Sequence, residues 1–305
     1  MKLTFIAALL LSLLIACSIG QNSVSEHAPE TEEWIDLFNG TDLTGWDIKI
    51  AGAPLGDNYK NTFVVEDSMI RIKYDEYDTF DDAFGHMYFH QPFSHYKLAF
   101  DYRFTGDQLE GGASWNVRNS GVMLHAQSAE SNEIDQGFPV SVELQLLGGL
   151  SDGQERSTGN VCTPGTAVMM GDSINYKHCI SSSSKTYHGD EWVHAEAIVH
   201  GGGEMIYIIE SDTVFRSDKS IVGGAFINYS FEGKDWEEFG VIRDRQKWIN
   251  LDGTTLESGY IALQAESHPI DFKNIKLLNL CGCQDEDDKN YKSYYTCHDE
   301  NQCQG

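Results

Sequence analysis

Short runs of strand character recur along the whole chain, and no stretch keeps a helical period for more than a few turns. The clearest runs read FVVEDSMIRIKY, YKLAFDYRF, SGVMLHA, VSVELQLL, WVHAEAIVH, EMIYIIESDTVFRS, GYIALQA and IDFKNIKLLNL. Glycine, asparagine and aspartate separate these runs, and the chain has 29 glycines but only 6 prolines. Many short strands divided by turn signals are typical of a β-sandwich or a jelly roll. The sequence therefore predicts an all-β fold.

Composition and charge narrow the possible partners. The 305 residues are 41% hydrophobic, which is enough for the core of one large all-β domain. Acidic residues number 47 against 21 basic ones, so the formal net charge is −26. Binding of phosphate groups needs a basic surface, which makes nucleic acid and anionic lipid poor partners. Neutral or cationic ligands and divalent cations remain possible partners.

The first residues, MKLTFIAALLLSLLIAC, predict export. A short basic start and an apolar run too short to span a membrane are typical of a signal peptide, here residues 1–16. The ending LIAC resembles the lipobox of bacterial lipoproteins, which implies lipidation at Cys17 and, because Ser18 follows, an outer-membrane location. An ordinary secretory signal with a chance cysteine is the alternative. Residues 17–33 then form a polar tether, and the lipid would be the chain's one attachment to a membrane.

Six cysteines remain after Cys17, and an even number in an exported protein predicts disulfides. Proximity in sequence pairs Cys162 with Cys179 and leaves four cysteines to pair within the tail: Cys281, Cys283, Cys297 and Cys303. Residues 281–305 are acidic and Cys-rich, and they form a small appendage. Zinc at the tail cysteines is one alternative, and calcium at Asp285, Asp287 and Asp288 is another.

The segment PVSVELQLLGG, residues 139–149, combines an apolar strand with polar side chains. Side chains alternate along a strand, so Glu143 and Gln145 share one face while valines and leucines share the other. Two further strands have the same pattern, with Asn119, Met123 and His125 on one face of RNSGVMLHA and with Gln264, Glu266 and His268 in GYIALQAESHP. Such a face is either solvated or a site, and Asn, His, Glu, Gln and the adjacent Arg118 could bind sugar hydroxyls, move protons or hold a divalent metal.

Several motifs together resemble the bacterial 3-keto-disaccharide hydrolase domain family. They are WIDLFNGTDLTGW at 34–46, RNSGVMLH at 118–125, VELQLLGG at 142–149 and GYIALQAESHPIDFKNIKLLNL at 259–280, with TGNVCTPGT and SSSSKTYHGDEWV typical of one branch. The resemblance covers residues 34–280. It implies a concanavalin A-like jelly-roll β-sandwich in an exported protein that processes carbohydrate.

Carried over residue by residue, the resemblance places the family's asparagine–serine–glycine turn on Asn119, Ser120 and Gly121. Its glutamate-x-glutamine strand corresponds to Glu143 and Gln145, and its late glutamine to Gln264. The segment HCISSSSKTYH departs from the family's more usual tyrosine-bearing strand, which leaves the roles of His178, Tyr187 and His188 open. We include His178 and His188 among the candidate substrate-binding residues, together with Arg118, Asn119, Gln145, Gln264 and Glu266.

A 3-keto sugar permits cleavage by β-elimination, because the ketone acidifies the hydrogen on C2. The reaction needs a base, a donor or cation at the C3 oxygen and an acid for the leaving group. Glu143 or His125 is the candidate base, Arg118 or a bound metal the electrophile, and His268 or Glu266 the acid. Glu143 and His125 are the candidate metal ligands, and no organic cofactor is implied.

Three alternatives to this reaction stay open at this point. Glu143 and Glu266 could instead be the carboxylate pair of an ordinary glycosidase. A lectin-like module would bind sugar without chemistry, and a structural lipoprotein would do neither. Jelly rolls serve all these purposes, so the fold does not discriminate between them.

Overall fold

The computed structural model describes residues 31–224, 227 and 245–304. The predicted signal peptide at 1–16, Cys17 and most of the tether at 17–33 lie outside these residues. In the part of the chain that the structure describes, no helix is both long and apolar enough to cross a membrane.

Twenty strands and one short α-helix are described. In chain order they are β1 Trp34–Asp36, β2 Trp46–Ile50, β3 Phe63–Glu66, β4 Met69–Ile72, β5 Gly85–Phe89, β6 His95–Phe104, β7 Asn119–Ala126, β8 Val142–Leu147, β9 Asn160–Cys162, β10 Thr166–Met170, β11 Ser173–Asn175, β12 Cys179–Ile180, β13 Val193–His200, β14 Met205–Ile209, β15 Asp212–Ser217, β16 Lys219–Val222, α1 Arg245–Asn250, β17 Tyr260–Ala265, β18 Ile270–Asn279, β19 Cys281–Gly282 and β20 Cys297–His298.

Two large antiparallel sheets carry most of these strands. One has eight strands in the order β15-β14-β13-β6-β18-β4-β3, with β1 paired to β18 beside this path. The other has seven strands in the order β12-β9-β8-β7-β17-β5-β2. Neighbours in each sheet are often distant in sequence, which is the crossover pattern of a jelly roll. The predicted all-β sandwich of concanavalin type is confirmed.

The core lies between the inner faces of the two sheets, and strand alternation selects its residues. Along β6, Leu98 and Phe100 are buried while Lys97 and Asp101 face outward. Along β8, Val142, Leu144 and Leu146 are fully buried and join the same hydrophobic cluster. These two strands belong to different sheets, so their inner faces close one continuous core. The alternating apolar side chains of β8 are therefore explained by packing in the core.

The Cys-rich tail is fixed to the sandwich at the same end as the first strand. Disulfides join Cys281 to Cys297 and Cys283 to Cys303, so the predicted Cys-rich appendage is confirmed. Because all four sulfurs are in disulfides, they offer no thiolates for the zinc alternative. Lys292 in the tail contacts Glu33 at 2.7 Å, directly before β1. Asp288, one of the calcium candidates, instead accepts hydrogen bonds from the backbone N–H groups of Asn290 and Gln304.

The third disulfide joins Cys162 of β9 to Cys179 of β12, 17 residues apart. Replacing both cysteines by serine should lower the free energy of unfolding by about 3 kcal/mol, because the bridge restricts the unfolded chain. Urea unfolding of the double variant and the wild type under oxidising conditions measures this difference. A double variant within about 0.5 kcal/mol of the wild type would show that the bridge adds no stability.

Candidate active site

The three strands with polar faces are neighbours in the seven-stranded sheet, in the order β8-β7-β17. Gln145 pairs with Gly121, and on the far side of β17 Gln264 pairs with His86 of β5. These residues share the face that points away from the core, here called the polar face: Glu143, Gln145, Gly121, Gln264 and His86. A Cβ atom on Gly121 would lie 2.6 Å from Cγ of Glu143. The Glu143 side chain therefore lies directly over Gly121.

Two carboxyl groups are buried together here. Glu143 is 5% exposed and Glu266, which follows β17, is 2% exposed. Burial raises the pKa of Glu143 to about 8. Burial, and then the charge of Glu143, raise the pKa of Glu266 well above its ordinary value, against an opposing contribution from Arg156. Two carboxyl groups in one desolvated space cannot both ionise readily, so the pair holds a proton near neutral pH.

Several buried polar atoms at the polar face have no hydrogen-bond partner among the described residues. Both amide atoms of Gln264, Oε2 of Glu266, Oδ1 of Asn119 and Nε2 of His86 are in this position. Buried polar groups in folded proteins are almost always hydrogen-bonded, and each one left unpaired costs free energy. Gln145, by contrast, accepts a bond from Asn160 at 3.0 Å. The unpaired atoms therefore form a set that a polar ligand or ordered water can satisfy.

Two cationic side chains, Arg118 and Arg156, and the ring of His268 form a border next to the carboxyl pair. Nη1 of Arg156 donates to the carbonyl oxygens of Val117 and Gly148 at 2.7 Å, and Arg118 pairs with Asp190 at 3.6 Å. Burial and the charge of Arg118 lower the pKa of His268 to about 4, so its ring is neutral at physiological pH. Both ring nitrogens of His268 are buried, with no partner among the residues the structure describes.

His125 does not lie on the polar face, contrary to the alternation read from the sequence. Its φ angle is 49°, and the pairing of β7 with β17 shifts register beside it. The ring bonds to the carbonyl oxygens of Ser94 and Leu256 and lies 5.8 Å from the Tyr96 ring in the opposite sheet. A β-bulge turns the side chain toward the space between the sheets, away from Glu143.

The two histidines of the divergent segment lie in different environments. His178 lies close to the Cys162–Cys179 disulfide, and burial lowers its pKa to about 4. His188 is exposed, and its ring packs against the backbone of Gly149. The structure thus brings together Glu143, Gln264, Glu266, Asn119 and Gln145, with Arg118 and His268 at the border. It turns His125 away from them and places His178 beside Cys162, which pairs directly with Glu143.

Comparison with known proteins decides the family. Residues 33–278 match the family of 3-keto-alpha-glucoside-1,2-lyase-like domains. The chain belongs to this family. Membership gives this lyase-like domain a carbohydrate-related function. No curated protein matches the chain.

Solved structures similar to this lyase-like domain are remote. A candidate glycosyl hydrolase from Parabacteroides distasonis is 20% identical, with 81% of this chain and 94% of that chain covered and a TM-score of 0.43. The carbohydrate-binding module CBM66 of Bacillus subtilis is 9% identical, with 76% and 95% covered and a TM-score of 0.39. The exoplasmic/lumenal domain of VIP36 in a Ca²⁺- and Man3GlcNAc-bound form is 12% identical, with 85% and 92% covered and a TM-score of 0.43.

The polar face of the lyase-like domain does not supply the metal ligands expected from the sequence. Glu143 and His125 point to opposite sides of the sheet, so they cannot share an ion. Within the described residues, three groups of His, Cys, Asp or Glu lie close enough together for a metal, and each includes two disulfide sulfurs. A disulfide sulfur is not the thiolate that binds metal.

Sequence reasoning missed Lys49, His86 and Arg156. His86 and Lys49 pair directly on β5 and β2, and Lys49 is buried, with its ammonium donating to the carbonyl oxygens of Ile50 and Ile134. Every residue of β5 is buried, so its GHMYF sequence lacks the contrast between a polar and an apolar face. Lys49 and His86 lie on strands that are far apart in sequence, so no local pattern joins them. Arg156 lies in a loop, where periodicity gives no information.

The carboxyl pair predicts how stability depends on pH. A folded-state pKa raised above the unfolded value contributes stability below pH 4.5, and this is lost as pH rises through about 8. Replacing Glu143 by Gln should therefore make the protein increasingly more stable than the wild type from pH 5 to pH 8, by up to a few kcal/mol. Urea unfolding at pH 5, 6.5 and 8 tests this. A difference that stays constant with pH would contradict the shared proton.

Proposed function

We propose that this lyase-like domain cleaves the glycosidic bond of 3-keto-glycosides by removing the C2 proton, eliminating the C1 oxygen and then adding water. The supporting observation is the buried Glu143–Glu266 pair, whose pKa values are both raised by burial. A carboxylate with a pKa near 8 is a stronger base than an exposed one and still ionises close to neutral pH. The hydrogen beside a ketone is weakly acidic, so this gain in basicity matters.

Each step has a group of this chain to perform it. Glu143 takes the C2 proton, and the electron pair forms a C1–C2 double bond as the bond from C1 to the leaving oxygen breaks. Glu266, which stays protonated, gives its proton to that oxygen. Water then adds across the double bond, with hydroxyl to C1 and a proton to C2. Nε2 of Gln264, which is buried and unpaired among the described residues, would donate to the enolate oxygen at C3.

The test uses p-nitrophenyl 3-keto-glucoside in D₂O, with p-nitrophenyl glucoside as the matched substrate without the ketone. We expect release of p-nitrophenol from the keto substrate alone, and deuterium at C2 of the 3-keto-glucose product. Because that product also exchanges slowly by itself, authentic 3-keto-glucose in the same buffer is the control. Release without deuterium at C2 would indicate direct displacement by a glycosidase pair. Binding of the keto substrate without release would favour the lectin-like alternative.

Export and lipidation at Cys17, with residence at the outer membrane, complete the proposal. They rest on the LIAC sequence. Mass spectrometry of the protein from its native membrane should find a lipid-modified N-terminus at Cys17. An intact Met1 terminus would overturn this part of the proposal and leave the chemistry unaffected.

A further inference from the structure

Trp115 is a large aromatic side chain that stays exposed beside the active site. It lies in a 3-10 turn at Ser114–Asn116, and 46% of its surface is accessible. One face of its ring is stacked on Phe84, with centroids 6.2 Å apart and planes 9° apart. An exposed indole with one face packed presents the other face to solvent. A single exposed aromatic side chain is common on protein surfaces. A role for Trp115 therefore has to be argued from the residues around it.

A row of rings connects Trp115 to the floor of the site. Phe84 packs on Phe138 with centroids 4.7 Å apart, and Phe138 lies 6.3 Å from His86. His86 pairs directly with Gln264 on the polar face. Phe80 contacts Phe84 edge-on at 4.9 Å, so Phe84 is held from a second side. A continuous series of ring contacts therefore connects the exposed indole to the residues of the polar face.

Unpaired amide oxygens lie along the same turn. Nδ2 of Asn119 donates to the carbonyl oxygen of Trp115 at 3.2 Å, which attaches the turn to β7. Oδ1 of Asn119 and Oδ1 of the neighbouring Asn116 are buried and have no partner among the described residues, and the two side chains are 4% and 1% exposed. A stacking surface beside unpaired acceptors is the combination that binds a ring with an apolar face and hydroxyl donors at its edge.

We infer that Trp115 is the platform of a second subsite, which holds the leaving group of the substrate by stacking on a flat ring. This inference rests on the proposed function, because a substrate has a leaving group only if the domain cleaves its glycosidic bond. The ring is the apolar face of a second sugar or the face of an aromatic aglycone, since both offer the same flat surface to an indole. A leaving group without a ring, such as methanol, gains nothing from this subsite.

Binding to the inert Glu143→Gln protein tests the subsite without turnover. Calorimetric titration with 3-keto-trehalose, p-nitrophenyl 3-keto-glucoside and methyl 3-keto-glucoside gives three Kd values. Adding Trp115→Ala should raise Kd about tenfold for a ring-bearing glycoside and leave the methyl glycoside unchanged, while Trp115→Phe should restore most of the affinity. A rise for the sugar glycoside only, the aryl glycoside only, or both identifies which ring the platform accepts.

The matched control is Tyr59→Ala, because Tyr59 is 41% exposed and contacts Tyr77 edge-on at 5.6 Å. Three rings, those of Tyr77, Tyr74 and Phe80, separate it from Phe84. It should change none of the three Kd values. Unchanged Kd values in the Trp115→Ala protein, or an equal rise for the methyl glycoside, would overturn the subsite. Failure of the wild type to turn over any 3-keto glycoside would overturn the proposed chemistry instead, and the Kd comparison would still decide the platform.

Discussion

Replacing Glu143 by Gln should lower kcat on a 3-keto glycoside by about a hundredfold or more, the usual scale of acid–base catalysis. The amide keeps the shape of the side chain over Gly121 but cannot accept a proton from C2. Thermal unfolding should occur at the same temperature or higher, because the change removes a carboxyl group whose ionisation is penalised by burial. Steady-state kinetics and calorimetric unfolding measure the two effects on one preparation.

Leu144→Ala is the control for this variant, because the neighbouring side chain points into the core and is fully buried. It should destabilise the protein by about 2 to 5 kcal/mol and leave kcat of the folded fraction nearly unchanged. Comparison of the variants at these two adjacent positions on β8 thus separates an effect on stability from an effect on turnover. Full turnover by the Glu143→Gln protein would remove Glu143 from the mechanism.

Replacing Gly121 by Ala should also reduce kcat by about a hundredfold, although residue 143 is still glutamate. The new methyl group would collide with the Glu143 side chain, with Cγ at 2.6 Å and Cδ at 2.8 Å from the added carbon, so the carboxyl group must shift. Displacement of a catalytic group by about 1 Å is enough for a loss of this size. The crowding should cost about 1 to 3 kcal/mol of stability. Kinetics together with urea unfolding would separate the two effects.

Gly85→Ala in the same sheet is the matched control. Its added carbon would meet Ile50 at 3.0 Å in the core and would not touch Glu143. We expect a similar loss of stability with turnover retained. If both alanine variants lose activity in proportion to their stability, crowding at Gly121 acts through the fold and not through the carboxyl group.

Strand alternation predicted much of this site because it depends on local geometry. The VELQLL pattern placed Leu144 in the core and Glu143 on the other face, since side-chain direction repeats every second residue. It also predicted polar faces on β7 and β17. That these strands are neighbours of β8 depends on sheet pairing far along the chain, which local periodicity does not specify.

The remaining differences have tertiary causes. His125 leaves the alternation because a bulge rotates it toward Ser94 and Leu256, contacts that are 31 and 131 residues away in sequence. Strand β5 is buried on both faces, so its residues carry no periodic contrast. Exposure of Trp115 depends on its stacking against Phe84, which a sequence pattern does not reveal.

The pairing of β1 with β18 has a practical consequence for handling the protein. β1 belongs to the eight-stranded sheet, and Glu33 before it contacts Lys292 of the tail. The polar face belongs to the other sheet and points away from the core. A solid support that is coupled to residues preceding β1 would therefore attach on the side of the eight-stranded sheet, opposite the active site. N-terminal immobilisation on a biosensor chip is thus the orientation that leaves the polar face and Trp115 open to glycosides in the flow.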